Sequence, residues 1–271
     1  MEQQQTIGFI GGGNMAEALI KGLLAQGQPT DQILVSDPSP ERQALLRDAY
    51  KVTVLTDNLA VANGCRLLVL AIKPQLVPAV VPELAGVVTT EHLTVSILAG
   101  TATATLEQLL GGTVRLVRAM PNTPALVGCG ATAICAGRFA TEADLETAAA
   151  LFRAVGSVNV VSEAQMDAVT GLSGSGPAYV FSVIEALTEG GVREGLPPKV
   201  ALELATRTVL GAAQLVSASG EEPAELRRKV CSPGGTTLAG LTALEERDLK
   251  GTLIEAVARA TRRSKELGQG K

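Results

Sequence analysis

Aromatic residues are nearly missing from this 271-residue sequence, which has two tyrosines, four phenylalanines and no tryptophan. Because 46% of the residues are nonetheless hydrophobic, the core must be built from Ala, Val, Leu and Ile. Such a core favours close packing of helices and strands over aromatic clusters. The length is sufficient for two domains of ordinary size.

Histidine, cysteine and excess positive charge are also scarce, and each absence excludes a class of function. The single histidine, His92, precedes an apolar strand pattern, and we expect it to be a surface residue without a catalytic role. The net charge of −4 argues against binding to nucleic acid. We expect no metal site, since neither metal-ligand spacing nor a disulfide framework relates the four cysteines, Cys65, Cys129, Cys135 and Cys231.

Long hydrophobic runs suited to a membrane or a secretory signal are absent as well. The first residues, MEQQQ, are polar and a strand pattern follows directly, so we expect no signal peptide and a cytoplasmic protein. The longest uncharged run, 119–137, contains Pro121, Pro124, Gly128 and Gly130. These residues argue against a helix that faces lipid, and we expect no membrane partner.

Strand and helix patterns alternate over residues 1–163. This alternation predicts crossover units and a mainly parallel sheet covered by helices on both faces. The predicted strands are 6–10, 33–36, 52–55, 67–72, 94–98, 115–120, 131–136 and 158–161, and the predicted helices are 16–26, 40–50 and 145–155.

Residues 164–271 carry no strand pattern and are predicted to be all-helical. Several helices are apolar over wide faces, as at Val180, Val183, Ile184 and Leu187. A domain of about 105 residues can bury only part of such faces, so we expect a second chain to cover them. The predicted helices are 178–194, 199–217, 223–229, 238–246 and 249–267.

A glycine turn separates the first strand from the first helix. Gly11, Gly13 and Ala16 match the G-x-G-x-x-A form of the dinucleotide fingerprint, in which backbone amides at a helix start approach a pyrophosphate. The alternative is a plain glycine turn. We therefore predict an α/β fold, with an N-terminal Rossmann-type doubly wound, mainly parallel sheet over 1–163 and an all-α domain over 164–271 for substrate binding and dimerisation.

The end of the second strand should contact the adenosine ribose. Asp37 would select the free 2′-hydroxyl of NAD. Alternatively, Ser36, Ser39 and Arg42 could accept a 2′-phosphate if Asp37 turns away, or Asp37 could merely cap the next helix. Lys73, after the fourth strand, could reach the ribose or nicotinamide, or it could be a solvated lysine.

The segment 230–238, with the sequence VCSPGGTTL, is predicted to be a loop that opens a helix. Its proline removes a donor, its glycines free the backbone, and an apolar helical pattern begins at Leu238. We expect the amides of residues 234–237 to be unpaired first-turn donors, which bind carboxylate or phosphate. A small carboxylate substrate could be held there without an arginine.

The sequence lacks a general base at the position where a class of hydroxyacid dehydrogenases has one. The segment 171–180, GLSGSGPAYV, looks like the GxxGxGxxxK segment of β-hydroxyacid dehydrogenases, but Val180 replaces their catalytic lysine. Hydroxyacid oxidation, which needs such a base, is therefore hard to support. A protonated imine already carries its proton, so its reduction requires mainly orientation and desolvation.

Five segments together resemble the pyrroline-5-carboxylate reductase family over nearly the whole chain. The resemblance implies hydride transfer from NAD(P)H to the imine carbon of 1-pyrroline-5-carboxylate, which gives L-proline in the last step of proline biosynthesis. Alternatives are a reductase of a six-membered cyclic imino acid and a dinucleotide-sensing or scaffold protein without turnover. The segments are GFIGGGNM at 8–15, AIKP at 71–74, RAMPNTP at 118–124, GLSGSGPAY at 171–179 and CSPGGTT at 231–237.

The resemblance also implies the site and the partners. Thr237 would be the catalytic hydroxyl near the ring nitrogen, and NADPH is the expected cofactor with NADH as the alternative. A homodimer through the helical domain, often within a larger ring such as a decamer, would place the substrate pocket between the nucleotide domain of one chain and the helical domain of its partner. Substrate-binding residues would be Gly234, Gly235, Thr236 and Thr237. Cofactor-binding residues would be Ile10, Gly11, Gly12, Gly13, Asn14, Met15, Ser36, Asn58, Ala71, Ile72, Lys73, Pro74 and Ala99.

Overall fold

The computed structural model describes residues 5–268, which divide into two compact units. One unit contains the residues up to Ser175 together with those from Ala258 onward, and the other is Gly176–Val257. The domain boundary between residues 163 and 164 stays a prediction, since the compact units change over after Ser175 and after Val257.

Eight strands form a single sheet in the first unit, which confirms the predicted mainly parallel architecture. The spatial order is β3-β2-β1-β4-β5-β6-β7-β8, and every neighbouring pair is parallel except β6 and β7. The strands are β1 (Ile7–Ile10), β2 (Ile33–Ser36), β3 (Thr53–Leu55), β4 (Leu67–Leu70), β5 (Leu93–Ser96), β6 (Arg115–Met120), β7 (Gly130–Ala136) and β8 (Gly156–Val160).

The helices alternate with these strands and then continue alone. The α-helices are α1 (Asn14–Ala25), α2 (Pro40–Tyr50), α3 (Asn58–Asn63), α4 (Val77–Val80), α5 (Thr103–Leu109), α6 (Glu142–Arg153), α7 (Met166–Val169), α8 (Gly176–Arg193), α9 (Pro198–Ser219), α10 (Pro223–Lys229), α11 (Thr236–Glu246) and α12 (Leu249–Gly268). Short 3₁₀ turns are Thr30–Gln32, Pro74–Leu76, Pro82–Gly86, Thr123–Val127 and Glu163–Gln165, and Thr170–Gly174 is a π-helical turn.

Residues on the central strands point alternately into two apolar clusters, as the pleat of a covered sheet requires. Phe9 belongs to a cluster with Leu19 and Phe152, whereas Ile10 belongs to a second cluster with Leu84. All residues of β1 and β4 are buried. The predicted burial of the sheet on both faces is therefore confirmed.

The second unit has almost no interior of its own. Within residues 176–257, all of which the structure describes, only Ala201 and Ala205 are buried. Val180 and Leu187 are exposed, as expected for wide apolar faces that one chain cannot cover. Other exposed apolar side chains are Phe181, Leu202, Leu204, Leu215, Leu244 and Ile254.

His92 is buried, so the prediction of a surface residue is wrong. Only 6% of it is exposed. Its Nδ1 accepts a hydrogen bond from the Thr89 amide at 3.1 Å, and its Nε2 lies 3.2 Å from the carbonyl oxygen of Ala62. Because Nδ1 is the acceptor, Nε2 carries the proton and donates to Ala62. The ring thus links the end of α3 to the turn before β5.

We expect His92→Leu to lower the free energy of unfolding by about 1–3 kcal/mol, because the buried ring loses its hydrogen bonds with the Thr89 amide and with the buried carbonyl oxygen of Ala62. Urea unfolding measures this change. His92→Asn is the matched control, since its Oδ1 can accept where Nδ1 does, and it should lose less stability. The folded variants should keep the wild-type kcat/KM. Unchanged stability of His92→Leu, or a specific loss of activity in both variants, would contradict this structural role.

Candidate active site

The carboxyl ends of adjacent parallel strands bring the predicted cofactor residues to one edge of the sheet. Ile10 pairs with Ser36 at the end of β2 and with Leu70 at the end of β4. The glycine turn follows Ile10, the segment 71–74 follows Leu70, and Ala99 lies just beyond β5. Open α/β sheets bind their ligands at this edge.

The glycine turn has the geometry of a phosphate-binding loop. Gly11 has a φ of +98°, and a Cβ there would lie 2.6 Å from the carbonyl oxygen of Ala71. Gly13 caps α1 without a side-chain hydrogen bond, and a Cβ at Gly13 would meet no atom within 4 Å. The first turn of α1, which begins at Asn14, therefore has no side-chain cap, and there is open space beside Gly13. This arrangement fits a pyrophosphate.

Asp37 binds the glycine turn rather than capping α2. Its Oδ2 accepts from the Gly12 amide and its Oδ1 accepts from the Ser39 amide, both at 2.8 Å. The helix cap is Ser39, whose hydroxyl oxygen accepts from the Arg42 amide at 3.4 Å. The interpretation of Asp37 as a mere helix cap is therefore wrong.

Ser36 and Asn58, two predicted cofactor residues far apart in sequence, are hydrogen-bonded to each other. The buried Ser36 hydroxyl donates to Asn58 Oδ1 at 2.6 Å. Asn58 begins α3, whose N-cap is Asp57. The Ser36 hydroxyl is thus committed to Asn58, which leaves Ser39 and Arg42 as the groups beside β2 that could meet a 2′-phosphate.

The segment after β4 lies at the same edge. The Ala71 amide donates to the carbonyl oxygen of Ile10 at 2.8 Å, which holds this segment against the glycine turn. Ile72 is half-buried, whereas Lys73 and Pro74 are exposed. The exposed position of Lys73 is compatible with contact to a ribose and with a solvated lysine, so its role stays a prediction.

A partly buried charge cluster, which the sequence pattern does not predict, supports the segment after β5. Arg118 Nη1 donates to Glu163 Oε1 at 2.6 Å, and the Cys135 thiol donates to Glu163 Oε2 at 3.1 Å. Burial and the adjacent Glu163 raise the pKa of this thiol to about 12. The Thr103 amide also donates to Glu163, at 3.3 Å, which anchors α5 directly after Ala99 and its loop. An arginine within an apolar strand is the signal that a partner must exist.

The predicted substrate loop opens α11, with one correction. Helix α11 begins at Thr236, not at Leu238, and Gly235 is its N-cap. The Gly235 amide donates to the carbonyl oxygen of Ser232 at 3.0 Å, so the prediction that it is unpaired is wrong. Gly234, with a φ of +69°, makes the turn.

The donors of this helix end are the amides of its first turn. No side chain caps α11, so the amides of Thr236 and Thr237 are placed to bind an anion. The side chain of Thr237 is exposed in the single chain.

Neither a metal-binding cluster nor a membrane-spanning helix is found in the described part of the chain. Between residues 5 and 268, no group of histidine, cysteine, aspartate and glutamate side chains is arranged to hold a metal ion. Over the same residues, no helix is both long and apolar enough to cross a membrane.

Two protein-family profiles match this sequence. Residues 163–267 match the profile described as pyrroline-5-carboxylate reductase dimerisation. Residues 6–100 match the profile described as NADP oxidoreductase coenzyme F420-dependent.

Similar proteins cover nearly the full length. The pyrroline-5-carboxylate reductase of Synechocystis sp. is 47% identical over 97% of this chain and 98% of its own. That of Pisum sativum is 43% identical over 98% of this chain and 97% of its own.

Solved structures show the same similarity. The structure of a pyrroline-5-carboxylate reductase from Coxiella burnetii has a TM-score of 0.92 and 38% identity, and covers 98% of this chain and 99% of that one. Plasmodium falciparum pyrroline carboxylate reductase with NADP bound has a TM-score of 0.88 and 30% identity, and covers 97% of this chain and 98% of that one.

We expect Gly13→Ala to fold normally but to weaken dinucleotide binding tenfold or more, because the methyl group enters open space that a pyrophosphate would fill; overpacking costs about 1–3 kcal/mol. Calorimetric titration with NAD⁺ and NADP⁺ measures this. Gly11→Ala is the contrasting variant, and it should lower thermal stability, since its φ is +98° and its Cβ would clash with Ala71. Wild-type affinity in Gly13→Ala would contradict the assignment of the turn.

Proposed function

This chain belongs to the pyrroline-5-carboxylate reductase family, and on that basis we propose how its residues carry the reaction of the family. The enzyme reduces 1-pyrroline-5-carboxylate to L-proline with NAD(P)H. The roles we assign to individual residues rest mainly on the start of α11, which has no side-chain cap and follows the CSPGGTT sequence. That loop offers amide donors to the single carboxylate of the substrate.

The substrate carboxylate would be bound by the loop at residues 234–237. The amides of Thr236 and Thr237 are the donors, Gly235 sets the start of the helix, and Gly234 makes the turn before it. The helix dipole adds favourable charge at the same place. The Thr237 hydroxyl would then orient the ring nitrogen of the cyclic imine.

The reaction as proposed needs no side-chain base. The bound nicotinamide cofactor supplies the hydride. A protonated imine brings its own proton, so the residues of this chain need only orient the ring and exclude water. The only histidine, His92, is held between Thr89 and Ala62 and is not assigned a part in the chemistry.

The cofactor would lie along the sheet edge from Ile10 to Ala99. The glycine turn at residues 11–13 and the start of α1 would hold the pyrophosphate, and Ser36 and Asn58 would lie beside the adenosine. We propose NADPH as the cofactor, with NADH as the alternative. Support comes from Ser39 and Arg42, which flank the strand end where a 2′-phosphate would be bound.

The assembly we propose is a homodimer formed through the helical domain, 164–271. The nucleotide domain, 1–163, would bind the cofactor. The dimerisation profile over residues 163–267 supports homo-oligomerisation. The exposed apolar helices support a partner on these faces. We also propose that the pocket joins two chains, that dimers assemble into a larger ring such as a decamer, and that the enzyme is cytoplasmic.

We expect Thr237→Ala to lower kcat/KM for 1-pyrroline-5-carboxylate by roughly 10²-fold, the effect of removing one oriented polar group. Thr237→Ser is the matched control, because it keeps the hydroxyl and should retain most of the activity. Steady-state oxidation of NAD(P)H measures both, and cofactor affinity should stay at the wild-type value. An unchanged kcat/KM in Thr237→Ala would remove this residue from the mechanism.

A further inference from the structure

Arg42 is held in one orientation by two partners on α1 and the glycine turn. Its Nε donates to the carbonyl oxygen of Gly12 and its Nη2 donates to Glu17 Oε2, both at 2.7 Å. The Glu17 carboxylate also accepts from the Tyr50 hydroxyl, at 2.9 Å. Only 24% of the Arg42 side chain and 21% of the Glu17 side chain are exposed.

Glu17 carries its negative charge at neutral pH. Burial alone would raise the pKa of this carboxyl. The hydrogen bonds from Arg42 and Tyr50, together with the positive charge of Arg42, outweigh that effect and lower the pKa below its usual value. The positive charge of Arg42 is therefore matched by an adjacent carboxylate.

Asp37 adds a second carboxylate beside Gly12. It accepts from the Gly12 amide, while Arg42 donates to the Gly12 carbonyl oxygen. Two carboxylates and one guanidinium thus surround the end of β2. This strand end contacts the adenosine ribose in dinucleotide-binding sheets. The attraction of Arg42 for a 2′-phosphate, which carries close to two negative charges, is thus reduced by the carboxylate paired with it.

We propose that Glu17 is a positioning residue that sets the cofactor preference, because it neutralises Arg42 and so weakens the attraction of this strand end for a 2′-phosphate. The inference rests on the proposed binding of the cofactor at the glycine turn. Glu17 acts through Arg42 and does not contact the reacting atoms. Wild-type enzyme accordingly favours NADPH over NADH by less than it would without Glu17.

Equilibrium binding of NADP⁺ and NAD⁺, measured by calorimetry, tests the proposal. In Glu17→Gln, which keeps the size and polarity of the side chain, we expect the ratio of Kd for NADP⁺ to Kd for NAD⁺ to fall about tenfold, the scale of one charge-assisted contact. Tyr50→Phe is the matched control: it removes the hydroxyl bound to Glu17 but keeps both charges, and the ratio should stay within about twofold. Adding Arg42→Gln to Glu17→Gln should abolish the gain.

The outcomes separate this inference from the proposed site. An unchanged ratio in Glu17→Gln, or an equal change in both affinities, would assign Glu17 a purely structural role and overturn the inference. A selective loss of NADP⁺ affinity would show that Glu17 presents Arg42 to the phosphate, and would also overturn it. Binding of neither nucleotide to wild-type enzyme would overturn the proposed cofactor site itself.

Discussion

The helices of the Gly176–Val257 unit have more apolar surface than they can bury among themselves, and this constraint determines how the chain can assemble. Alanine is the only residue type that becomes buried there, at Ala201 and Ala205, while leucines and Phe181 stay exposed. An isolated chain with such faces would aggregate or associate. The dimerisation profile that matches this region supports a second copy of the chain as the partner that covers these faces. The substrate loop before α11 is part of the same unit, so its environment depends on the partner chain that we propose.

The nucleotide-binding unit, by contrast, contains its own core. Close backbone contacts position the edge of the sheet at which we propose that the cofactor binds. Gly11 lies against the Ala71 carbonyl, and no larger residue fits there. Hydrogen bonds from both sides then hold Gly12, to Asp37 and from Arg42. At the other end of the edge, Glu163 fixes the start of α5. These contacts position the edge of the sheet, which fits a reaction that relies mainly on orientation of the reactants.

Much of the fold could be predicted because local signals decide it. The bounds of β2, α2, β6 and α10 agree with the predicted ones, and α2 illustrates why: Ser39 caps it and Pro40 occupies its first turn. The short helices α3 and α5 were not predicted, because helices of six or seven residues have too little periodicity to detect. The burial of His92 depends on a carbonyl thirty residues away, at Ala62. Pairings between distant residues, such as Glu17 with Arg42, leave no local pattern.

Complementation between two variants shows whether the active site is built from two chains, as we propose. Gly13→Val impairs the nucleotide domain and Thr237→Ala impairs the helical domain, so each homodimer should be nearly inactive. When both chains are co-expressed in equal amounts, mixed dimers contain one intact site, and we expect about a quarter of the wild-type kcat from random pairing. Activity no higher than that of the separate variants, in preparations shown to contain mixed dimers, would contradict a shared site.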